Sequence, residues 1–233
     1  QRTQSSLFIP ISWRELVDAA RRHKEFPLFS MPGSFINAAG GALTPVVIYG
    51  FFGIDSAGQY GLVERGMMLP AAMVVAAVAQ VVTGEISERI RNRSEGISAA
   101  YRRLLLTLIV VGLPPSLIAL LFAPQLFVFV FGSEWGLAGQ FAQSLAPLLL
   151  LTLVAGPLNM VILLCNGQSV QLAWETARLV VFCATWAAIS YFQLEMITAV
   201  RVHVATMSLM YVAYLVLADI VTRNVRSWPV QES

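Results

Sequence analysis

Residues 57–82 read AGQYGLVERGMMLPAAMVVAAVAQVV, an apolar run that is interrupted by Glu64 and Arg65 and contains Pro70. About 20 helical residues, at 1.5 Å each, cover the hydrocarbon core of a bilayer. The run is therefore predicted to form a bilayer-crossing helix. An ionised side chain within such a helix costs about 2.5–3.5 kcal/mol on insertion scales, so it tends to face a bundle interior or a wet cavity. Glu64 and Arg65 are accordingly the first candidate functional residues.

The composition of the whole chain indicates an integral membrane protein. Of its 233 residues, 57% are hydrophobic and only 12% are charged, whereas soluble domains carry about one quarter charged residues. The net charge of +2 gives no sign of nucleic-acid binding, because the basic residues are separated along the chain. Cys165 and Cys183 fall inside apolar spans and are expected to act as small buried hydrophobes.

Six bilayer-crossing spans are predicted. They cover residues 26–52, 57–84, 104–123, 137–165, 172–192 and 196–221. Several spans contain internal prolines, which predict kinked helices whose freed backbone groups are satisfied by neighbouring helices. Residues 124–131 are too short to cross again, so we expect them to form a short helix at the interface. The predicted fold class is an all-α membrane protein, a bundle of six transmembrane helices occupying residues 26–223.

The two ends of the chain are predicted to be cytoplasmic. Within residues 1–25, the spacing of Ser12 and Glu15 is that of a capping box, and residues 12–23 have the Trp and Arg pattern of an amphipathic interfacial helix. Twelve of the fifteen basic residues lie in this segment, in the loop after the second span and near the tail, residues 224–233. The positive-inside rule then places both termini in the cytoplasm. Because the chain opens without Met or a signal peptide, we expect it to be part of a longer protein.

Polar side chains inside the spans are the candidates for a substrate path. They are Gln59, Glu64, Arg65, Gln80, Asn159, Arg178 and Arg201. The alternatives are snorkelling of the charged residues to the surface and interhelical hydrogen bonding by the amides. Glu175 and Arg178 lie three residues apart on one helix face, which predicts an intrahelical ion pair. His203 is either a titrating group in a proton-coupled cycle or a hydrogen-bonded bystander.

Catalysis is not predicted. The sequence has no Ser/His or Cys/His arrangement, no metal-ligand spacing and no phosphate-binding glycine loop, so neither a catalytic residue, a metal nor a cofactor is expected. The turns on the outer side are also too short to hold a catalytic domain. The chain is expected not to be an enzyme.

Four stretches carry a family resemblance. They are Trp13–Leu16 leading into Phe26–Pro32; Ala57–Arg65 with Pro70 and Gln80; Phe131–Trp135 with Ala138–Gly139 and Leu145–Pro147; and Gly156–Leu158 with Asn166–Gln168. In these stretches the chain resembles the C-terminal half of a bacterial polysaccharide flippase of the O-antigen exporter kind, within the multidrug/oligosaccharidyl-lipid/polysaccharide flippase superfamily.

The resemblance implies one lobe of a two-lobe flippase in the bacterial inner membrane. Residues 12–23 would link this lobe to an N-terminal lobe of the same chain, and rocking of the lobes would move a lipid-linked oligosaccharide by alternating access. Arg65 would contact a phosphate or an acidic sugar. Implied partners are the lipid-linked oligosaccharide, membrane lipid, the N-terminal lobe and, as a candidate, the polysaccharide polymerase machinery.

Other functions remain open at this point. Within transport, the alternative is a multidrug or peptidoglycan-precursor exporter of the same superfamily, although the mixed membrane charges favour it less than an acidic cavity would. From a different class, a non-transporting membrane scaffold of polysaccharide assembly would tolerate neutral substitution of Glu64, Arg65 and Arg178.

Overall fold

The computed structural model of the protein describes residues 31–91, 96–165 and 167–224. Its elements are α1 Met31–Val63, a π-helical turn Glu64–Met68, α2 Leu69–Arg91, α3 Ile97–Phe131, a 3₁₀ turn Ser133–Trp135, α4 Gly136–Leu164, α5 Gln168–Tyr191 and α6 Met196–Asn224. The predicted amphipathic helix at 12–23, the rest of the segment 1–25, and the tail beyond residue 224 lie outside the described residues.

The helices have the length and composition of a multi-pass membrane protein. Five of them in the described part of the chain are long and apolar enough to cross a bilayer. They are Met31–Arg91, Ile97–Phe131, Ser133–Leu164, Gln168–Tyr191 and Met196–Arg223. No strand occurs within these described ranges. The all-helical membrane class is thus confirmed, whereas the count of six spans and the kinks stay predictions.

The first of these helices is interrupted at Gly53. A straight helix of 61 residues would extend for about 90 Å, roughly three times the hydrocarbon core. Gly53 instead has φ 84° and ψ 179°, a conformation that glycine adopts without steric cost. The side chains of Thr44 and Tyr60, both buried, lie close to each other, although they would be about 24 Å apart on a straight helix. The chain therefore turns back on itself at Gly53.

A widened turn joins α1 to α2. The Leu69 N–H donates to the carbonyl of Glu64, five residues earlier, as in a π-helix. The cause is Pro70, which has no N–H and whose ring would clash with the carbonyl four residues before it, that of Gly66. Both candidate charged residues, Glu64 and Arg65, consequently lie in this π-helical turn, a feature that is frequent at functional sites.

α3 continues without interruption through Pro124 to Phe131, where the sequence predicted a separate short helix at 124–131. Pro124 leaves the carbonyl of Leu120 without its helical donor. The Gln143 side chain on α4 supplies that donor, because its Nε2 lies 2.8 Å from the Leu120 carbonyl oxygen. A neighbouring helix thus compensates for the proline.

α4 is the central helix of the bundle. It has more buried residues than any other described helix, and it takes part in three cores. One core surrounds Phe141 and Trp186, a second surrounds Leu158 and Tyr214, and a smaller third core contains Leu149. α2, α3 and α6 pack against α4, while α1 packs mainly against α5. This arrangement brings α1, α5 and α6 around one polar region.

Candidate functional site

The polar region is centred on the carboxylate of Glu175 on α5. Its side chain is 4% exposed, and three donors surround it. Asn37 Nδ2 on α1 and Gln171 Nε2 on α5 each donate to Oε1 across 2.9 Å. Arg178 Nη2, one helical turn further along α5, lies 2.8 Å from Oε2. The predicted partners Glu175 and Arg178 are therefore in direct contact, and hydrogen bonds from two helices hold the carboxylate.

A small cavity lies beside this ion pair. It has a volume of about 120 Å³ and is lined by side chains of α1, α4, α5 and α6, including Thr44, Glu175, Arg178, His203 and Tyr211. Arg178 Nη1 lies 3.4 Å from the Tyr211 hydroxyl. A guanidinium carries five N–H donors, and these two contacts leave others for water or an anionic group. The cavity is roomy enough for a few water molecules.

His203 occupies a buried position on the wall of the cavity. Its ring packs edge-on against Phe182, with centroids 5.3 Å apart, and lies 5.6 Å from the ring of Trp186. Its Nδ1 is buried and makes no hydrogen bond to the described residues, and the same holds for Trp186 Nε1. A buried polar atom without a partner costs free energy, so a water molecule in the cavity is the natural partner for His203.

A second group of hydrogen bonds extends the polar region toward the beginning of α5. The Tyr214 hydroxyl on α6 lies 2.6 Å from Asn159 Oδ1 on α4 and 3.2 Å from Gln171 Oε1. Gln171 in turn donates to Glu175. Of the predicted path residues, the structure thus brings Asn159 and Arg178 into one polar network, linked through Tyr214, Gln171 and Glu175.

Gln59 is engaged elsewhere. Its Nε2 donates to the Glu134 carbonyl across 2.8 Å, and its Oε1 accepts a hydrogen bond of 3.1 Å from the Ala138 N–H. The first N–H groups of a helix lack partners within it. Gln59 satisfies one of them at the beginning of α4, so both ends of its amide already serve the packing of the bundle.

The other predicted path residues do not join the network. Glu64 is half-buried, and Arg65, Gln80 and Arg201 are exposed. None of these four side chains forms an ion pair or a hydrogen bond with a residue that the structure describes. In particular, Glu64 and Arg65 are not paired with each other, as expected for neighbours whose side chains diverge by about 100° on a helix.

Sequence reasoning did not assign a site role to Gln171, Tyr211 or Tyr214. A signal for the first was present, because Gln171, Glu175 and Arg178 follow one another at intervals of four and three residues, which places three polar side chains on one face of an otherwise apolar helix. The tyrosines carry no such signal. Their hydroxyls matter only because α6 packs beside α5.

The network can neutralise charge, hold helices together and bind a polar group. With the residues described, no group of three His, Cys, Asp or Glu side chains is placed to hold a metal ion. The cavity instead offers a guanidinium, two hydroxyls and an imidazole next to a carboxylate that is already paired. Such a set suits a hydrated or anionic group rather than a cation.

Comparison with known protein families decides what kind of protein this is. A family of polysaccharide biosynthesis proteins matches residues 8–138, more than half of the chain. The chain belongs to the polysaccharide biosynthesis protein family. The resemblance to a polysaccharide flippase-type protein is thereby confirmed. Neither the curated proteins nor the solved structures with which the chain was compared gave a match.

The polysaccharide biosynthesis family match ends at residue 138, at the beginning of α4. It includes the π-helical turn with Glu64 and Arg65, and Asn37 on α1. The rest of the polar network, from Asn159 onward, lies beyond the matched residues. This family member therefore places its buried ion pair in the part of the chain that the match does not cover.

Proposed function

We propose that the chain is a lobe of a membrane flippase that translocates lipid-linked oligosaccharide or polysaccharide precursors across the bacterial inner membrane by alternating access. Membership of the polysaccharide biosynthesis family and the five long apolar helices support the setting. Transporters of this kind expose a polar site near the middle of the membrane alternately to the two sides.

The proposed lobe crosses the membrane six times, with both termini in the cytoplasm. The reversal at Gly53 supports two crossings within residues 31–91. At one end of the bundle, Arg102 of α3 and Arg223 of α6 are both paired with Asp219. The opposite turns, residues 132–135 and 192–195, contain no basic residue. This asymmetry is the one expected if the arginine-rich end is cytoplasmic.

The observation that carries the proposal is the Glu175–Arg178 pair beside a polar cavity. An ion pair among membrane helices is costly to keep and marks ion or substrate pathways. Arg178 retains donors that face the cavity and suit a phosphate or an acidic sugar, for which the guanidinium has a matching geometry. In the state described, Glu175 neutralises Arg178; during transport an anionic headgroup would replace or share that role.

The test is complementation in a host that lacks its own O-antigen flippase. The full-length natural protein is expressed, its membrane abundance is confirmed, and surface polysaccharide is measured against lipid-linked precursor retained on the cytoplasmic side. We expect the unmutated protein to restore surface polysaccharide. Failure to do so at normal abundance would contradict the flippase proposal.

Two paired variants locate the activity. Replacing both partners, as in E175Q/R178M, removes the buried charges without leaving one of them unpaired. The control is E85Q/R89Q, which changes a Glu–Arg pair at the end of α2 whose side chains are each 37% exposed and four residues apart. We expect the first variant to accumulate precursor and the second to export normally. Normal export by E175Q/R178M would instead show that the ion pair is not part of the transport path.

A further inference from the structure

Two guanidiniums meet at one carboxylate, near the beginning of α3 and the end of α6. Arg102 Nε lies 3.0 Å from Asp219 Oδ1, and Arg102 Nη2 lies 3.3 Å from Asp219 Oδ2. Arg223, one turn further along α6, pairs with the same Oδ2. Within the described ranges, Asp219 is the only carboxylate that pairs with either arginine. Two positive charges therefore share one negative charge, and one positive charge stays unbalanced.

Both arginines keep donors for a further anion. A guanidinium carries five N–H groups; Arg102 directs two of them at Asp219, and Arg223 directs one. The side chains of Arg102 and Arg223 are 51% and 56% exposed, whereas that of Asp219 is 20% exposed. The guanidiniums are thus more accessible than the carboxylate they share, and a phosphate can accept hydrogen bonds from both.

A buried tyrosine fixes the position of this cluster. Tyr101, which precedes Arg102, is fully buried, and its hydroxyl donates across 2.8 Å to the carbonyl of Leu215. Leu215 lies one turn before Asp219 on α6. The contact holds the beginning of α3 against α6 at the level of Arg102 and Asp219. The two arginines are therefore presented by helices already packed together, which lowers the entropy cost of binding an anion.

The cluster lies at the depth of phospholipid headgroups. α6 has 29 residues, Met196–Asn224, and extends for about 43 Å, which matches the thickness of about 40–45 Å of a bilayer with its headgroups. Asp219 lies about 7 Å before the end of this helix. The carboxylate and its two arginines are therefore expected near the boundary between the headgroups and the hydrocarbon core.

Exposed apolar side chains continue from the cluster toward the middle of the bilayer. On α3, Leu106 lies one turn after Arg102; on α6, Val216 and Val212 lie one and two turns before Asp219, and all three apolar side chains are exposed. Residues three, four or seven apart share a helix face. A phospholipid fits this arrangement, with its phosphate at the arginines and its acyl chains along the apolar side chains.

We propose that Arg102 and Arg223 bind the phosphate of an anionic phospholipid in the leaflet at this end of the bundle. In the proposed topology this is the cytoplasmic leaflet, and basic pockets between transmembrane helices on that side bind anionic headgroups. An anionic headgroup supplies the negative charge that the cluster lacks, whereas a zwitterionic headgroup brings a cation of its own. This lipid belongs to the surrounding bilayer, and its binding does not depend on transport of a glycan.

The test measures binding of phosphatidylglycerol to the purified full-length protein by native mass spectrometry, at an ionic strength where the Debye length is about 8 Å. We expect Arg102→Gln to weaken binding about tenfold, as for the loss of one hydrogen bond to a charged group. The control is Arg103→Gln, which removes the same charge from the same turn.

Arg103 is exposed, and its side chain diverges from that of Arg102 by about 100°. We therefore expect Arg103→Gln to leave the affinity nearly unchanged. Equal weakening by both substitutions would show a general attraction to a basic surface and overturn the proposal, as would no effect of either.

Replacement of Asp219 should have the opposite effect. Asp219→Asn removes the charge that competes with the phosphate, and it keeps a side-chain oxygen that can accept hydrogen bonds from both arginines. We expect phosphatidylglycerol to bind this variant more tightly than the natural protein. Unchanged or weaker binding would show that the phosphate does not lie at the two guanidiniums and would overturn the proposal.

Two competitors identify the ligand. Phosphatidylcholine should bind much more weakly than phosphatidylglycerol, because its headgroup has no net charge. Inorganic phosphate in large excess should not displace phosphatidylglycerol, because it makes no contact with the apolar side chains beside the cluster. Equal binding of phosphatidylcholine, or displacement by inorganic phosphate, would overturn the assignment to an anionic lipid.

Discussion

Asn37 Nδ2 donates a hydrogen bond of 2.9 Å to Glu175 Oε1, although 138 residues separate the two in the chain. The bond joins α1 to α5 near the point where a Cβ on Gly33 would lie 3.8 Å from the Leu172 backbone. The same Oε1 also accepts a hydrogen bond from Gln171 of α5, so the Asn37 amide is the donor that another helix contributes to this oxygen. This pair links the early part of the chain to the ion pair on which the proposed function depends.

Loss of the Asn37 amide should weaken that link. We expect Asn37→Leu to lower the free energy of unfolding in detergent by about 1 kcal/mol, since interhelical hydrogen bonds in membranes contribute about 0.6–1.7 kcal/mol. Gln80→Leu is the control, because Gln80 is exposed and makes no hydrogen bond to a described residue. An equal change in both variants would show that Asn37 does not support Glu175.

The Glu175–Arg178 pair should show strong coupling in a double-mutant cycle. Removing one partner leaves a buried charge without its counterion, which costs about 3–5 kcal/mol, and side-chain exposures of 4% and 16% place this pair in that class. We expect Glu175→Gln and Arg178→Met each to be strongly destabilising, and E175Q/R178M to cost much less than their sum. The cycle is measured by denaturant unfolding, and additive losses would contradict the pairing.

The bond between Gln143 and the Leu120 carbonyl should matter only because of Pro124. We expect Gln143→Leu to cost about 1–3 kcal/mol, since it leaves a carbonyl unsatisfied. In a Pro124→Ala background the helix regains its own N–H donor for that carbonyl. The same Gln143→Leu change should then cost much less, as measured by thermal unfolding. A cost independent of residue 124 would show that Gln143 acts in another way.

The close contact between α3 and α4 should make Gly139 intolerant of a side chain. A Cβ there would lie 2.5 Å from Pro124 Cα, whereas a Cβ at Gly84 on α2 meets nothing within 4 Å. We expect Gly139→Ala to destabilise by about 1–3 kcal/mol through overpacking, and Gly84→Ala to stabilise by up to about 1 kcal/mol through helix propensity. Thermal unfolding of the two variants compares them directly, and similar effects would contradict the packing.

The helical membrane class followed from the sequence because apolar length alone predicts it. The spacing of Glu175 and Arg178 likewise indicated their contact, since residues three apart on a helix are neighbours whatever surrounds them. The prediction of a helix end at Pro124 was wrong. A proline leaves one backbone carbonyl without a donor, and here Gln143 of another helix donates to it. The sequence around Pro124 cannot show that a residue of another helix supplies this hydrogen bond.

It was harder to predict which residues belong to the polar network than which types of side chain it contains. Gln59 and Asn159 look alike in the sequence, as single amides in apolar spans. The structure places Gln59 at the beginning of α4 and Asn159 in the polar network. Which of these roles an amide takes depends on the helix packed beside it. For the same reason, the importance of Asn37 to Glu175 could not be inferred without the tertiary structure.

The central claim is that the protein moves a lipid-linked glycan across a membrane. The most direct measurement uses the purified full-length protein in vesicles that contain a lipid-linked oligosaccharide, and follows the fraction of glycan that becomes accessible to a glycosidase on the opposite face. We expect the unmutated protein to translocate the glycan well above the rate of protein-free vesicles, and E175Q/R178M, reconstituted at equal density, to fall to that background. Translocation by the unmutated protein no faster than in protein-free vesicles would contradict the account.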